Sequence, residues 1–194
     1  MNLPYSLARV LASVAESDAS ALGVPMSIAV VDKDGGIMFL GRMDGALPAS
    51  REIAASKAYT AAALRMTTAD VGKLAQPGGA LYGIQHTHPG KIVLFGGGIP
   101  LCLKGKEAGA IGISGGSVDE DIQVAESVVQ ALADMEGWSQ LIKGVLSKAR
   151  IETACAARLE IKVSETLHEM NHPLSPRGHS IFVGAMILAA CEGQ

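Results

Sequence analysis

The stretch MSIAVVDKDGGIMFLGR, residues 26–42, decides the fold. Residues 26–31 form a β-rich apolar run, and residues 37–40 form a second one. Between them, residues 33–36 (KDGG) carry a strong turn signal. Because the connection is short, the two runs can pair only as neighbours running in opposite directions. The stretch therefore predicts a β-hairpin.

Working outward from this hairpin, the chain alternates between helical and extended patterns. Helical spacing of apolar residues predicts a first helix before the hairpin, closed by Gly23, and several more elements after it. The predicted helices cover residues 5–22, 49–64, a short segment capped by Thr67 and 118–135, and the later strands cover 91–95, 99–103 and 108–114. The order predicts an α+β fold with a five-stranded antiparallel sheet and helices packed on it.

Two regions of different composition divide the chain. Gly137 is predicted to close a first domain, residues 1–137, and residues 138–194 form a helical C-terminal extension. This extension is expected to hold a helix to about residue 169, a Pro/Gly-broken loop over 173–178 and an apolar terminal run. Its apolar residues fit an oligomerisation element.

Composition excludes several classes of function. The chain has 194 residues, a net charge of −3 and 4% aromatic residues, so nucleic-acid binding is not expected. The longest apolar run, residues 181–191, is too short to span a bilayer. No secretory signal pattern is present at the N-terminus, and the three cysteines form no CxxC motif. These features predict a cytoplasmic protein with free thiols that binds neither nucleic acid nor membrane.

Two glycine-rich stretches lie near predicted strand ends. Residues 95–100 read FGGGIP, and residues 112–117 read GISGGS before a helix. Backbone N–H groups at the second stretch could receive an anion, but the acidic residues 119–121 would oppose it. Tight turns between strands are the competing interpretation.

Charged side chains follow the hairpin. Arg42 and Asp44 could form a structural ion pair at the end of the second strand. Alternatively, Arg42 and Lys57 could bind a carboxylate or propionate through charge-assisted hydrogen bonds. Spacing alone favours the structural ion pair.

Two histidine patterns could hold a metal. His86 and His88 stand two residues apart, and in an extended segment both imidazoles would point the same way, toward one metal or haem iron. His168 and His172 form an HExxH pattern, typical of zinc peptidases on a helix. Pro173 follows at once and disfavours helical geometry there. Solvated histidines are the competing interpretation in both places.

Three longer stretches carry a resemblance to a known family. They are SIAVVDKDGGIMFLGRMDGALPAS (27–50), KAYTAAALRMTTADVGKLAQPGGALYGIQHTHPGKIVLFGGGIPL (57–101) and GAIGISGGSVDEDIQVAE (109–126). In this order they resemble the GlcG/HbpS family, and most of all domains similar to the C-terminal half of PduO. The resemblance covers about residues 5–136.

The resemblance implies a profilin-like three-layer α/β/α sandwich and assembly into homo-oligomers. It also implies that haem or a related tetrapyrrole is a candidate ligand, with links to glycolate, glycerol or propanediol metabolism. The residues that match family motifs and could frame a ligand pocket are Arg42, Asp44, Lys57, Thr60, Gly96, Gly97, Gly98 and Pro100. The loop 112–116 also matches.

Three functional hypotheses follow. The first is an accessory protein that binds a small molecule, haem above all, with Arg42 and Lys57 pairing with propionates and His86 or His88 as axial ligand. The second is an enzyme acting on small organic acids or aldehydes, with Lys57 and Asp44 as acid and base. The third is a non-catalytic assembly partner whose C-terminal extension docks on another protein.

Overall fold

A computed structural model gives the fold of residues 2–148 and 176–191. The chain begins with a helix, forms a hairpin, and then alternates helices with a second pair of strands. The elements are α1 (Tyr5–Leu22), β1 (Ser27–Asp32), β2 (Ile37–Arg42), α2 (Ser50–Leu64), α3 (Thr68–Leu74), a 3-10 turn (Ile84–His86), β3 (Gly98–Leu103), β4 (Lys106–Ser114), α4 (Val118–Lys148) and α5 (Pro176–Cys191).

The strands form one antiparallel sheet in the order β2-β1-β4-β3. Ser27 lies opposite Arg42 on β2 and opposite Ser114 on β4, so β1 is paired on both edges. Gly35 adopts a φ of 84° in the turn between β1 and β2, a conformation that glycine tolerates. The hairpin predicted over residues 26–42 is confirmed.

The described sheet has four strands, so the predicted fifth strand over residues 91–95 is wrong. The backbone of this segment forms hydrogen bonds with a side chain instead of with a neighbouring strand. The backbone N–H of Val93 donates to Thr60 Oγ1 at 3.0 Å, and the carbonyl of Lys91 accepts from the same hydroxyl oxygen at 2.8 Å. Because Thr60 pairs with these backbone groups, residues 91–95 form part of a loop in spite of their β-rich composition.

Helices pack on both faces of the sheet. On one face, Ile28 and Ile111 share a large apolar core with α1, α4 and α5. On the other face, a smaller cluster joins the strands to alanines of α2 (Ala29, Val31, Ala54, Ala58, Ala61, Ala62 and Ala110). An antiparallel sheet covered by helices is thus confirmed, whereas the detailed likeness to profilin stays a prediction.

Small residues let α2 lie very close to the sheet. A Cβ added to Gly112 of β4 would lie 2.5 Å from the backbone nitrogen of Ala58 and would overlap the carbonyl oxygen of Ala54. Glycine on the strand and alanine on the helix therefore set the distance between these layers. This close approach brings the side chain of Lys57, on the same helix, to the end of β4.

The predicted end of the fourth helix at Met135 is wrong, because α4 continues through Gly137 to Lys148. The apolar terminal run forms α5, and its residues Ala185 and Leu188 belong to the large core. His168 and His172 lie outside the described residues. In the part of the chain that the structure describes, every helix is too short or too polar to cross a membrane.

Candidate functional site

Lys57 occupies the buried face of α2. Ala54, Ala58 and Ala61 share that face, which places the lysine stem against the sheet. Its side chain has 0% exposure. The ammonium donates to the carbonyl oxygen of Ile113 at 2.8 Å and to Asp121 Oδ2 at 2.6 Å. The amine is therefore fully engaged inside the protein.

Asp121 is the other half of this buried ion pair. It lies in the first turn of α4, and its side chain is 4% exposed. Its second oxygen, Oδ1, accepts from the backbone N–H of Gly116 at 3.1 Å. A carboxylate near a helix N-terminus also meets the positive end of the helix dipole. The pair thus joins α2 to α4 across the end of β4.

Burial acts on the ionisation of both partners. Desolvation lowers the pKa of Lys57, and the hydrogen bond to Asp121 offsets part of this effect. Desolvation raises the pKa of Asp121, which the hydrogen bonds from Lys57 and Gly116 oppose. Because a buried charge is costly without a partner, each group depends on the other.

The glycine run 96–98 passes directly beside the ion pair. Gly97 has a φ of 107°, and a Cβ there would lie 2.8 Å from Lys57 Nζ and 2.9 Å from Asp121 Cβ. The carbonyl of Gly97 accepts from the N–H of Ile113 at 2.8 Å, and the N–H of Gly98 donates to Thr68 Oγ1 at 2.9 Å. The glycines therefore leave room for the ion pair. Pro100 follows within β3, half-buried opposite Ala110.

Phe95 covers the ammonium from the loop side. Its ring centroid lies 4.8 Å from Lys57 Nζ, within the range of a cation–π contact. The ring is 43% exposed, so it is the boundary between the buried pair and solvent. Lys57 thus contacts a partly exposed aromatic ring from the buried side.

Thr60, one turn after Lys57, anchors the loop that leads to Phe95. Its side chain is buried and contacts Ser56, Lys91 and Val93 through one hydroxyl. The same loop, between α3 and β3, carries His86 and His88, which are both exposed. These histidines lie in and just after the 3-10 turn, so the extended geometry predicted for them is wrong.

Arg42 and Asp44 are both exposed at the end of β2. No ion pair among the described residues involves either side chain, so the predicted structural pair does not form there. The sheet register puts Arg42 two strands away from Ser114 of β4, about 10 Å at the usual strand spacing. Arg42 and Lys57 therefore do not share one exposed anion site.

Sequence reasoning missed Asp121 as the partner of Lys57. A signal was present, because Asp121 lies on the face of α4 that carries the buried Val124, Ala125 and Val128. Among the described residues, no group of three His, Cys, Asp or Glu side chains is placed to hold a metal ion. A haem iron would need only one or two such ligands.

Known proteins are similar to this chain over the region that contains these residues. A family model for haem-degrading, HbpS-like proteins matches residues 3–130. An uncharacterized 15.0 kDa protein in the dhaT-dhaS intergenic region of Citrobacter freundii is 41% identical over 133 residues, 69% of this chain and 94% of that protein.

Two solved structures share the fold. A PduOC:haem complex is 38% identical, with a TM-score of 0.65 over 67% of this chain and 94% of that one. A double mutant of HbpS from Streptomyces reticuli is 31% identical, with a TM-score of 0.62 over 68% of this chain and 88% of that one. As its sequence motifs predict, the chain belongs to the HbpS-like family.

Proposed function

We propose that the chain binds haem or a related tetrapyrrole, as an accessory protein, through the loop between α3 and β3. The observation that carries this proposal is the exposure of His86 and His88 on that loop. An imidazole that is open to solvent can reach a haem iron without rearrangement of the core. The likeness to a solved haem complex at 38% identity supports the same ligand.

The loop also carries the other groups that haem needs. Tyr82 is 67% exposed, and Phe95 offers a second aromatic surface for an apolar macrocycle. Lys91 is exposed, with its ammonium 5.0 Å from the centroid of the Tyr59 ring. An exposed ammonium can pair with a propionate. When bound, haem would supply a redox-active iron.

This proposal changes the expected roles of the motif residues. Lys57 is too deeply buried to meet a propionate, so we assign it the positioning of Phe95. Thr60 holds the loop backbone at Lys91 and Val93. The glycines 96–98 allow the loop to return to the sheet, and Arg42 remains an exposed cation for an anionic group.

A haemin titration followed by absorbance tests the proposal. We expect a saturable Soret shift that is lost in the double variant His86→Ala/His88→Ala. Gln123→Ala/Glu126→Ala, which changes two exposed residues of α4 away from this loop, is the matched control and should bind as the parent does. A shift that survives in the double variant places the axial ligand outside this loop. No saturable shift at micromolar protein overturns haem binding.

The hypothesis of an enzyme acting through Lys57 and Asp44 has less support. A general acid or base must reach the substrate within hydrogen-bond distance. The ammonium of Lys57 is buried and engaged by Asp121 and Ile113, whereas Asp44 is exposed after β2. The two groups therefore do not form one accessible acid–base site.

Homo-oligomer formation stays part of the proposal. Ile37 on β2 and Leu47 after it are 58% and 62% exposed, which leaves apolar surface near the β2 edge of the described sheet. We expect light scattering after size exclusion to give a mass above 19.9 kDa. Leu47→Glu should lower that mass if this surface is the interface.

A further inference from the structure

A cavity of about 480 Å³ lies between the β3–β4 turn, α4 and α5. Its size falls in the range of small-molecule sites, roughly 300–1,000 Å³. Leu103 and Leu188 contribute apolar wall, and α4 contributes residues 136, 137, 139 and 140. Apart from Leu103 and Lys104 in the β3–β4 turn, the lining residues lie beyond residue 130, where the match to the family ends. The cavity is therefore distinct from the loop proposed for haem.

A buried hydroxyl in this cavity has no partner among the described residues. Ser139 is 2% exposed, and among the described residues its Oγ forms no hydrogen bond. A serine within a helix commonly donates to the carbonyl four residues earlier, but this one does not. Because buried polar groups are almost always paired, the unpaired Ser139 hydroxyl points to an occupant that supplies a hydrogen bond.

The charges around the cavity indicate the class of occupant. Glu136 lines it, and its Oε1 accepts from the backbone N–H of Lys104 at 2.6 Å. Lys104 also lines the cavity, so one acidic and one basic residue balance each other. A neutral molecule fits such a wall better than an anion or a cation does. The two leucines match an aliphatic stem.

We propose that this cavity binds a small neutral molecule with an aliphatic stem and a hydroxyl head. The head exchanges a hydrogen bond with Ser139, and the stem contacts Leu103 and Leu188. Gly137 gives access to the space between them, since a Cβ added there would meet no atom within 4 Å. We therefore use a larger side chain at residue 137 to occupy the cavity.

The test uses the full chain and 1,2-hexanediol as the probe, with binding measured by calorimetry. Trp138 is the sole tryptophan and stands between two cavity-lining residues, so its fluorescence gives a second readout. We expect saturable binding in the parent. Ser139→Ala should weaken it about fivefold to tenfold, the usual effect of one lost hydrogen bond. Gly137→Phe should abolish it, while Gly137→Ala retains it.

Folding of each variant is checked by circular dichroism and urea unfolding without ligand. Ser139→Ala should unfold at the same or a higher urea concentration than the parent, because it removes an unpaired hydroxyl. Absence of saturable hexanediol binding in the parent overturns the proposal. Unchanged affinity in folded Gly137→Phe also overturns it. Tighter binding of hexanoate than of hexanediol overturns the neutral class of ligand.

Discussion

Lys57 Nζ lies 2.6 Å from Asp121 Oδ2, a contact between residues 64 positions apart in the chain. The contact connects the helix on one face of the sheet to a helix that packs on the opposite face. It does so at the point where the glycine run 96–98 returns to β3. One buried ion pair therefore holds together two helices and the loop that we propose as the haem site.

Breaking this pair should be costly. Lys57→Met leaves the Asp121 carboxylate buried without its partner, and we expect a loss of about 3–5 kcal/mol in the free energy of unfolding. Urea unfolding at pH 7 measures it. In Lys57→Met/Asp121→Asn the uncompensated charge is gone and Asn can still accept from Gly116. The double variant should therefore recover much of the loss, and simple additivity of the two single changes would contradict this account.

The spacing between α2 and β4 should tolerate no added methyl. Gly112→Ala places a Cβ against the backbone of Ala54 and Ala58, so we expect destabilisation of about 1–3 kcal/mol. Gly137→Ala is the matched control, since the added Cβ meets open space within a helix. That control should gain roughly 0.5–1 kcal/mol. Equal urea midpoints for the two variants would show that the layers can move apart.

Thr60 should control the order of the loop. Thr60→Val keeps the shape but leaves the Val93 N–H without its acceptor, so we expect a loss of about 1–3 kcal/mol. Hydrogen exchange at the Val93 amide should become faster. Thr60→Ser retains the hydroxyl and serves as the control. If the Val93 amide exchanges equally slowly in Thr60→Val, the hydroxyl is not what holds this segment.

The start of α4 should make stability depend on pH. Glu120 Oε2 accepts from the backbone N–H of Ser117 at 2.7 Å and from its hydroxyl at 2.9 Å, and these bonds lower the pKa of Glu120. A lowered pKa in the folded state gives stability that is present above the ordinary value of about 4.3. This stability is lost as the pH falls through the folded value.

Glu120→Gln should therefore lower stability at pH 7 and reduce the difference in urea midpoint between pH 7 and pH 3. Glu126→Gln removes one negative charge from an exposed position of the same helix and serves as the control. A pH dependence that is equal in Glu120→Gln and the parent would refute the capping role.

Local signals in the sequence were sufficient for the hairpin and for the cap of α3. The turn at residues 33–36 acts through its own backbone preferences, and Thr67 Oγ1 accepts from the N–H of Asp70 at 3.1 Å as expected of a capping residue. Both features depend on residues within a few positions of each other. The segment 91–95 differs, because its partner is a hydroxyl 33 residues earlier in the chain. Composition alone does not reveal such a partner.

The sequence indicated several residues that lie together in the structure, but it did not indicate how they are arranged. Lys57, Thr60 and the glycines 96–98 do come together, but around an internal ion pair instead of an open anion site. The alanines near Lys57 on α2 indicate a buried helix face. A lysine is usually exposed, however, so its presence in the sequence favoured an exposed site. The neighbour that neutralises it, Asp121, is brought in by the tertiary fold.

The unbroken course of α4 has a consequence for how this chain can change in length. The helix has 31 residues and continues without a break past residue 130, where the match to the family ends. One residue inserted between positions 130 and 137 would rotate everything after it by about 100° and advance it by about 1.5 Å. Such an insertion would turn Ser139 away from its present surroundings. Length changes in this segment therefore keep Ser139 on its present side only in steps close to whole numbers of turns, such as about 7, 11 or 18 residues.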